Sequence, residues 1–281
     1  MNPAIKKSYL TLPAGIQTHL RRSGTGAPII LLHPSPMSSA FMVPLIERLA
    51  AQAQAQVNAL DTPGYGNSDP LPEPGDDLNG YVQWLKESIS ALGFTRVGLY
   101  GSATGAQIAI AFANAHPELL HYLILDNAAH FEPAERDRIL QNYLPDLSPQ
   151  PDGRHLQTIW KIATGLYQWF PWYQQDEAHR VGPPNTPPAL INATALEYMR
   201  AGTDYGRAYR AAFMHEDAKH VQRIQVPVRV IRWQGSILRK YTDRYDQFTW
   251  PDNIQMRHCD ASIDARYQTI CKAVAELQES V

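Results

Sequence analysis

The segment Val97-Gly98-Leu99-Tyr100-Gly101-Ser102-Ala103-Thr104-Gly105-Ala106 decides the fold of this chain. It begins as an apolar run of strand length and leads into an apolar helical pattern at 105–115. Gly101 and Gly105 supply the small residues that a sharp turn from strand into helix requires. Ala103 stands at the centre of this turn, which we call the elbow (residues 101–105). The sequence therefore predicts a strand, an elbow and a helix, with a methyl group at the tip of the elbow.

Strand-length apolar runs alternate with helical patterns along most of the chain. The predicted strands are 27–32, 56–60, 97–100, 123–126, 226–231 and 254–257, and the predicted helices are 39–50, 78–92, 105–115 and 265–277. This βαβα order predicts an α/β fold with a mostly parallel sheet that helices cover on both faces.

The alternation is interrupted at residues 127–220, a segment rich in proline and aromatic residues. We predict that this segment is a helical cap, inserted into a core made of residues 1–126 and 221–281. As a group, the cap aromatics are expected to wall an apolar pocket, although any single one of them can instead pack only against its neighbours. The candidate substrate-binding residues are Trp169, Trp172, Tyr173 and, from the core, Trp233.

Composition limits the classes of partner. The 281 residues are 44% hydrophobic, with a formal net charge of −2 and scattered basic residues, so neither nucleic acid nor an acidic membrane surface is an expected partner. No apolar run is long enough to cross a bilayer, and we expect a cytoplasmic protein with a small-molecule substrate. The two cysteines, Cys259 and Cys271, form no metal-binding pattern, so neither a metal nor a cofactor is expected. The sequence does not indicate an oligomeric state.

Four motifs, each at the end of a predicted strand, resemble those of the α/β-hydrolase superfamily. They are Leu31-Leu32-His33-Pro34-Ser35-Pro36, Asp61-Thr62-Pro63-Gly64-Tyr65-Gly66-Asn67-Ser68, Gly101-Ser102-Ala103-Thr104-Gly105 and His258. Their order and spacing are more specific than any one motif, and the resemblance spans nearly the whole chain. It implies the α/β-hydrolase fold and a hydrolase that acts on a small apolar ester, lactone or acyl compound.

The elbow departs from the pattern of this superfamily. The superfamily pattern Gly-x-Ser-x-Gly implies that Ala103 occupies the nucleophile position, where a methyl group cannot attack a substrate. Ser102 is a weaker substitute, because it comes one residue too early. The chain also resembles a bacterial subgroup with a Gly-Ser-x-Thr-Gly elbow, which often carries histidine at the nucleophile position.

The same resemblance implies two donors to an oxyanion. The first is the N–H of Ser35, because Pro34 and Pro36 have none, and the second is the N–H of Thr104 at the start of the helix. His33 begins this loop and is a further candidate. The loop can also be read as no more than a rigid turn.

The resemblance also assigns positions to the general base and the acid, and the acid position is a second departure from the superfamily pattern. His258, after the last predicted strand, holds the position of the general base. The position of the acid falls on Ser236, which cannot serve as one, and Asp126 stands where some members carry an alternative acid.

Three functions remain open at this point. The first is a hydrolase inactivated at residue 103. The second is a cofactor-free lyase, decarboxylase, cyclase or isomerase in which Ala103 is the native residue, and the third is a non-catalytic binder of small molecules. The retained loop at Ser35 and the position of His258 favour the first.

Overall fold

One sheet of eight strands forms the centre of the computed structural model, which describes residues 4–72 and 75–280. Residues 1–3, 73–74 and 281, which the predicted core ranges include, lie outside the described residues. The strands are β1 (Lys6–Thr11), β2 (Gln17–Ser23), β3 (Ala27–Leu32), β4 (Ala55–Leu60), β5 (Val97–Ser102), β6 (Leu120–Asp126), β7 (Val228–Trp233) and β8 (Ile254–Cys259). Their order is β1-β2-β4-β3-β5-β6-β7-β8. Strands β3 to β8 are parallel, and β1 and β2 form an antiparallel edge.

The described residues also form ten α-helices and four short 3₁₀ turns. The helices are α1 (Val43–Gln52), α2 (Asn79–Ala91), α3 (Thr104–Ala115), α4 (Pro133–Tyr143), α5 (Arg154–Gly165), α6 (Pro188–Ala201), α7 (Gly206–His215), α8 (Ala218–Gln222), α9 (Arg239–Thr242) and α10 (Ile263–Gln278). The 3₁₀ turns are Pro117–Leu119, Glu177–His179, Gly202–Asp204 and Asp243–Gln247. Helices α4 to α8 lie between the neighbouring strands β6 and β7, in and just after the segment predicted as the cap. None of the described helices is long and apolar enough to cross a membrane.

Every predicted strand and helix is present, with ends that differ by a few residues, and the predicted fold class is confirmed. Strand β7 begins two residues later than predicted, because Pro227 has no N–H for a strand ladder. The prediction missed β1 and β2. Most side chains of β1 are exposed, so it carries no apolar run.

Alternating side chains of the buried strands face two apolar clusters. In β3, Ile30 and Leu32 face one cluster, and Ile29 and Leu31 face the other. Helices α2 and α3 and helices α4 to α8 contribute to the first cluster, whereas α1 and α10 contribute to the second. The cap segment therefore lies on the α2–α3 side of the sheet.

Asp61, directly after β4, joins its own loop to the loop after β3 and to strand β2. Its carboxylate accepts hydrogen bonds from the Ser39 N–H (2.6 Å), the Asn67 N–H (2.9 Å) and the His19 ring (2.8 Å). Burial favours the neutral carboxyl, but the hydrogen bonds from His19, Ser39 and Asn67 outweigh it and lower the pKa of Asp61 to about 2. This carboxylate therefore holds the loops on which the first and second motifs lie.

We predict that Asp61→Asn lowers the free energy of unfolding by about 3 kcal/mol, because it leaves buried donors without the charge that they bind. Urea denaturation followed by circular dichroism measures this loss. The matched control is Asp252→Asn at an exposed site, which should change stability by no more than about 0.5 kcal/mol. Equal effects of the two substitutions would contradict the role of Asp61.

Candidate functional site

The elbow joins β5 to α3 with Ala103 in an unusual backbone conformation. Ala103 has φ 48° and ψ −112°, a region that residues other than glycine rarely occupy. A side chain at Gly101 would collide with the carbonyl of Gly105, and a side chain at Gly105 would collide with the carbonyl of Leu32. The two glycines therefore allow the close approach of helix and strands that holds Ala103 in this conformation.

We predict that Gly105→Ala destabilises the fold by more than about 2 kcal/mol, because its methyl group meets rigid backbone. The matched control is Gly206→Ala, where the nearest atom would lie at an ordinary 3.7 Å. Thermal unfolding of both variants measures the difference. A variant Gly105→Ala as stable as Gly206→Ala would mean that the elbow does not need this close approach.

The elbow forms part of the wall of a cavity of about 460 Å³. The segment predicted as the cap and the loops after the strands supply the rest, and most of the lining is apolar. Apolar lining residues include Leu166, Phe170, Phe213, Ile237 and Leu238. Three further lining residues, Phe41, Leu190 and Ile263, are more than one third exposed. The cavity is thus an apolar space with an apolar, solvent-exposed edge.

Four of the predicted site residues lie in the cavity wall at or beside the elbow. Ser35, Ala103 and Thr104 all line the cavity. Thr104 is the first residue of α3, and the N–H groups of the first turn of a helix have no partner within the helix. This part of the wall is therefore suited to a carbonyl or carboxylate oxygen. Ser102, the last residue of β5, is buried beside them and also belongs to the lining.

His33 is buried in the supporting structure under this loop. Its Nδ1–H donates to the carbonyl oxygen of Pro34 (3.0 Å), and its Nε2 accepts the N–H of Thr62 (2.9 Å), which fixes the neutral tautomer. Burial lowers the pKa of His33 from its usual value. His33 thus connects the loop of Ser35 to the loop after β4 and does not line the cavity.

The structure does not bring His258 to the elbow. Strand β8 continues two residues beyond its predicted end, so that His258 lies within the strand, opposite Arg232 of β7, and is exposed. It borders a separate polar pocket of about 250 Å³ with Arg232 and Asp246. His258 therefore does not lie beside Ala103, where a general base was expected. No histidine is found among the described residues that line the elbow cavity.

The two candidate acid positions are occupied by other interactions. Ser236 Oγ donates to Asn127 Oδ1 (2.5 Å) and accepts the N–H of Leu238 (2.9 Å). Asp126 Oδ2 accepts hydrogen bonds from the Tyr100 hydroxyl (2.6 Å) and from two nitrogens of Arg266 (2.6 and 2.9 Å). Neither position supports a histidine in the described structure.

Of the four aromatic residues predicted to bind substrate, the structure places one, Trp233, in the cavity wall. Trp169 packs under the guanidinium of Arg180, 4.2 Å from its ring centre. Trp172 donates its indole N–H to the Tyr143 carbonyl, and the Tyr173 hydroxyl donates to a carbonyl of α4. All three contacts lie within the segment predicted as the cap, so these residues pack inside that segment and do not line the cavity.

The chain is similar to known proteins in both sequence and structure. The profile of the family described as alpha/beta hydrolase fold matches residues 27–159, which include the elbow. The structure of a Vigna radiata epoxide hydrolase mutant superposes with a TM-score of 0.73 at 16% identity and covers 99% of both chains. The chain has the α/β-hydrolase fold. The resemblance to the α/β-hydrolase superfamily is confirmed.

Two curated relatives resemble parts of this α/β-hydrolase-fold chain. The pimeloyl-[acyl-carrier protein] methyl ester esterase of Aeromonas hydrophila is 33% identical over 105 residues, which are 37% of this chain and 39% of the relative. The 2-hydroxy-6-oxononadienedioate/2-hydroxy-6-oxononatrienedioate hydrolase of Paraburkholderia phymatum is 33% identical over 129 residues, 43% of this chain and 44% of the relative. The chain thus spans less than half the length of each of these two relatives.

Several residues that line the cavity were not predicted from the sequence. Tyr209, Ala212, Phe213 and Glu216 all line it and have helical spacing, so α7 and the residue directly after it contain a signal for three largely apolar residues and one carboxyl on the same face. Arg266 has a similar signal, since it stands four residues before the buried Ile270 on α10. Asn127 shows no signal beyond its place at the end of β6.

We predict that acid destabilises this α/β-hydrolase-fold chain partly through His215. Burial and the imidazole of His220 lower the pKa of His215 to about 4, whereas the unfolded chain titrates near its ordinary value of about 6.5. The unfolded state therefore binds more protons as the pH falls from about 7 to 4, and the free energy of unfolding decreases. Burial also lowers the pKa of His33, so His33 contributes to the same loss of stability at acid pH.

His215→Gln should reduce this loss by about 1–3 kcal/mol. Urea denaturation at pH 7 and pH 4.5 measures it, and His155→Gln on α5 is the matched control. The same pH dependence of the free energy of unfolding in both variants would show that His215 does not cause this loss.

Proposed function

We propose that this chain carries a hydrolase-type site for a small apolar ester, lactone or acyl compound, and that Ala103 inactivates the site at the nucleophile position. The observation that carries the proposal is the place of Ala103 at the tip of the elbow, in the wall of the cavity. A nucleophile at this position would face a bound substrate. The methyl group of alanine leaves that position without an attacking atom.

The cavity gives the substrate an orientation. The carbonyl oxygen of the compound lies against the N–H groups of Ser35 and Thr104, where the start of α3 also favours negative charge. Its apolar body lies against Leu166 and Phe213, under the cap segment. Both curated relatives carry the names of hydrolytic enzymes, an esterase and a hydrolase, which supports this class of compound.

A second candidate is a non-catalytic binder of the same compounds. It is favoured because no histidine is found among the described residues of the lining, so a hydrolytic reaction there has no usual general base. This candidate predicts that an apolar ester raises the thermal stability of the chain and is recovered unchanged.

The two candidates are separated by replacement of residue 103. Histidine is the most informative substitution, since its imidazole attacks an activated ester without a second base. We expect Ala103→His to hydrolyse p-nitrophenyl butyrate at least tenfold faster than the chain as it stands, and Ala103→Ser to gain less. The matched control is Ala134→His, which places the same imidazole on the exposed first turn of α4.

Release of p-nitrophenol and mass spectrometry of the products from a panel of esters, lactones and acyl compounds provide the measurement. A gain at residue 103 over the Ala134→His control supports an inactivated hydrolase. No gain with histidine, serine, cysteine or aspartate at residue 103 would refute it. Binding without turnover in all variants would then support the second candidate.

A further inference from the structure

Glu216 is an unpartnered carboxyl in the wall of the elbow cavity. It directly follows α7, its residue surface is 5% exposed, and its Oε2 has no hydrogen-bond partner among the described residues. A buried polar atom without a partner is costly, so proteins seldom keep one unless a water or ligand bonds to it. Since Glu216 borders a cavity, a ligand group within that cavity is in a position to supply the partner.

The position of Glu216 is fixed by rigid elements. Tyr209, Phe213 and Glu216 occupy one face of α7 and its end, and all three line the cavity. The neighbouring His215 donates its Nδ1–H to Gln107 Oε1 on α3 at 2.9 Å. Because α3 begins at the elbow, this bond ties the end of α7 to the helix that carries the predicted oxyanion donor.

The surroundings of Glu216 favour its neutral form. Its ionisable neighbours include the phenols of Tyr143, Tyr209 and Tyr245, and no ion pair to it is found in the described part of the chain. Burial raises the pKa of the Glu216 carboxyl well above its usual value. A neutral carboxyl has one O–H donor and also accepts hydrogen bonds.

We propose that Glu216 forms a cap subsite, at which its carboxyl donates a hydrogen bond to an uncharged acceptor oxygen of the ligand. The ligand is then bifunctional, with a carbonyl at Ser35 and Thr104 and a second oxygen, such as that of a ketone or ester, at Glu216. This inference rests on the proposed function, since one cavity holds both groups. An ammonium group is the alternative ligand chemistry, and it requires the ionised carboxylate.

Three probes test the subsite, and they differ only at the end remote from the ester. They are methyl 4-(4-acetylphenyl)butanoate, its isopropyl analogue of similar shape without an acceptor, and its aminomethyl analogue with an ammonium group. Titration calorimetry gives the dissociation constant of each probe. We expect the acetyl probe to bind at least tenfold more tightly than either of the others, because one buried hydrogen bond is gained and no charge is buried.

Two substitutions provide matched variants. Glu216→Gln keeps the size of the side chain and an N–H donor, so it should retain most of the preference for the acetyl probe. Glu216→Leu removes the donor. The dissociation constants of the acetyl and isopropyl probes for this variant should therefore lie within about threefold of each other. Thermal unfolding checks that both variants are folded. If Glu216→Leu does not fold, Glu216→Gln alone still distinguishes an uncharged acceptor from an ammonium group as the ligand.

The outcomes separate this inference from the function on which it rests. Equal binding of the acetyl and isopropyl probes by the unsubstituted chain would overturn the subsite and leave the cavity as a binding site for esters. Preference for the aminomethyl probe, lost in Glu216→Gln, would overturn it in favour of a cation site. Failure of all three probes to bind would overturn the proposed function together with the subsite.

Discussion

The close approach of α3 to strands β3 and β5 at Gly101 and Gly105 is the constraint on which the site depends. Neither glycine has room for a side chain, because backbone carbonyls of the elbow and of β3 occupy the space. This approach holds Ala103 at φ 48° and sets Thr104 at the start of a helix. The same turn would present any nucleophile to the cavity, so the strained backbone is retained although the side chain here is a methyl group.

Much of the fold was predictable from the sequence, because buried parallel strands appear as apolar runs and end at turn residues. Strand β1 could not be found in this way, since an edge strand exposes most of its side chains. At the site, Ser35 and Thr104 both line the cavity because their motifs follow buried strands, and their role as oxyanion donors stays a prediction. His258 was misplaced, because a shift of two residues in the end of β8 decides whether a side chain lies in the strand or in the loop after it. Glu216 was missed because only the tertiary structure shows that the end of α7 borders the cavity.

The chemistry of the cavity differs between its two polar parts. At the elbow, the start of α3 and the loop of Ser35 are the predicted N–H donors, while the positions predicted for the nucleophile and the acid hold Ala103 and Ser236. Ser236 instead bonds to Asn127, and Asp126 bonds to Arg266, so the edge of the sheet is filled by a network that does not need a histidine. On the cap side, Glu216 provides a carboxyl in apolar surroundings. This distribution suits recognition of a ligand better than acid–base catalysis at residue 103.

We infer that the elbow cavity still binds the compounds that a complete hydrolase site would cleave. The most direct measurement is a crystal structure of the chain with methyl 4-phenylbutanoate. We expect an intact ester, with its carbonyl oxygen within hydrogen-bonding distance of the Ser35 and Thr104 N–H groups and its phenyl ring under the cap segment. An ester bound with its carbonyl away from the elbow, or found as the hydrolysed acid, would contradict it.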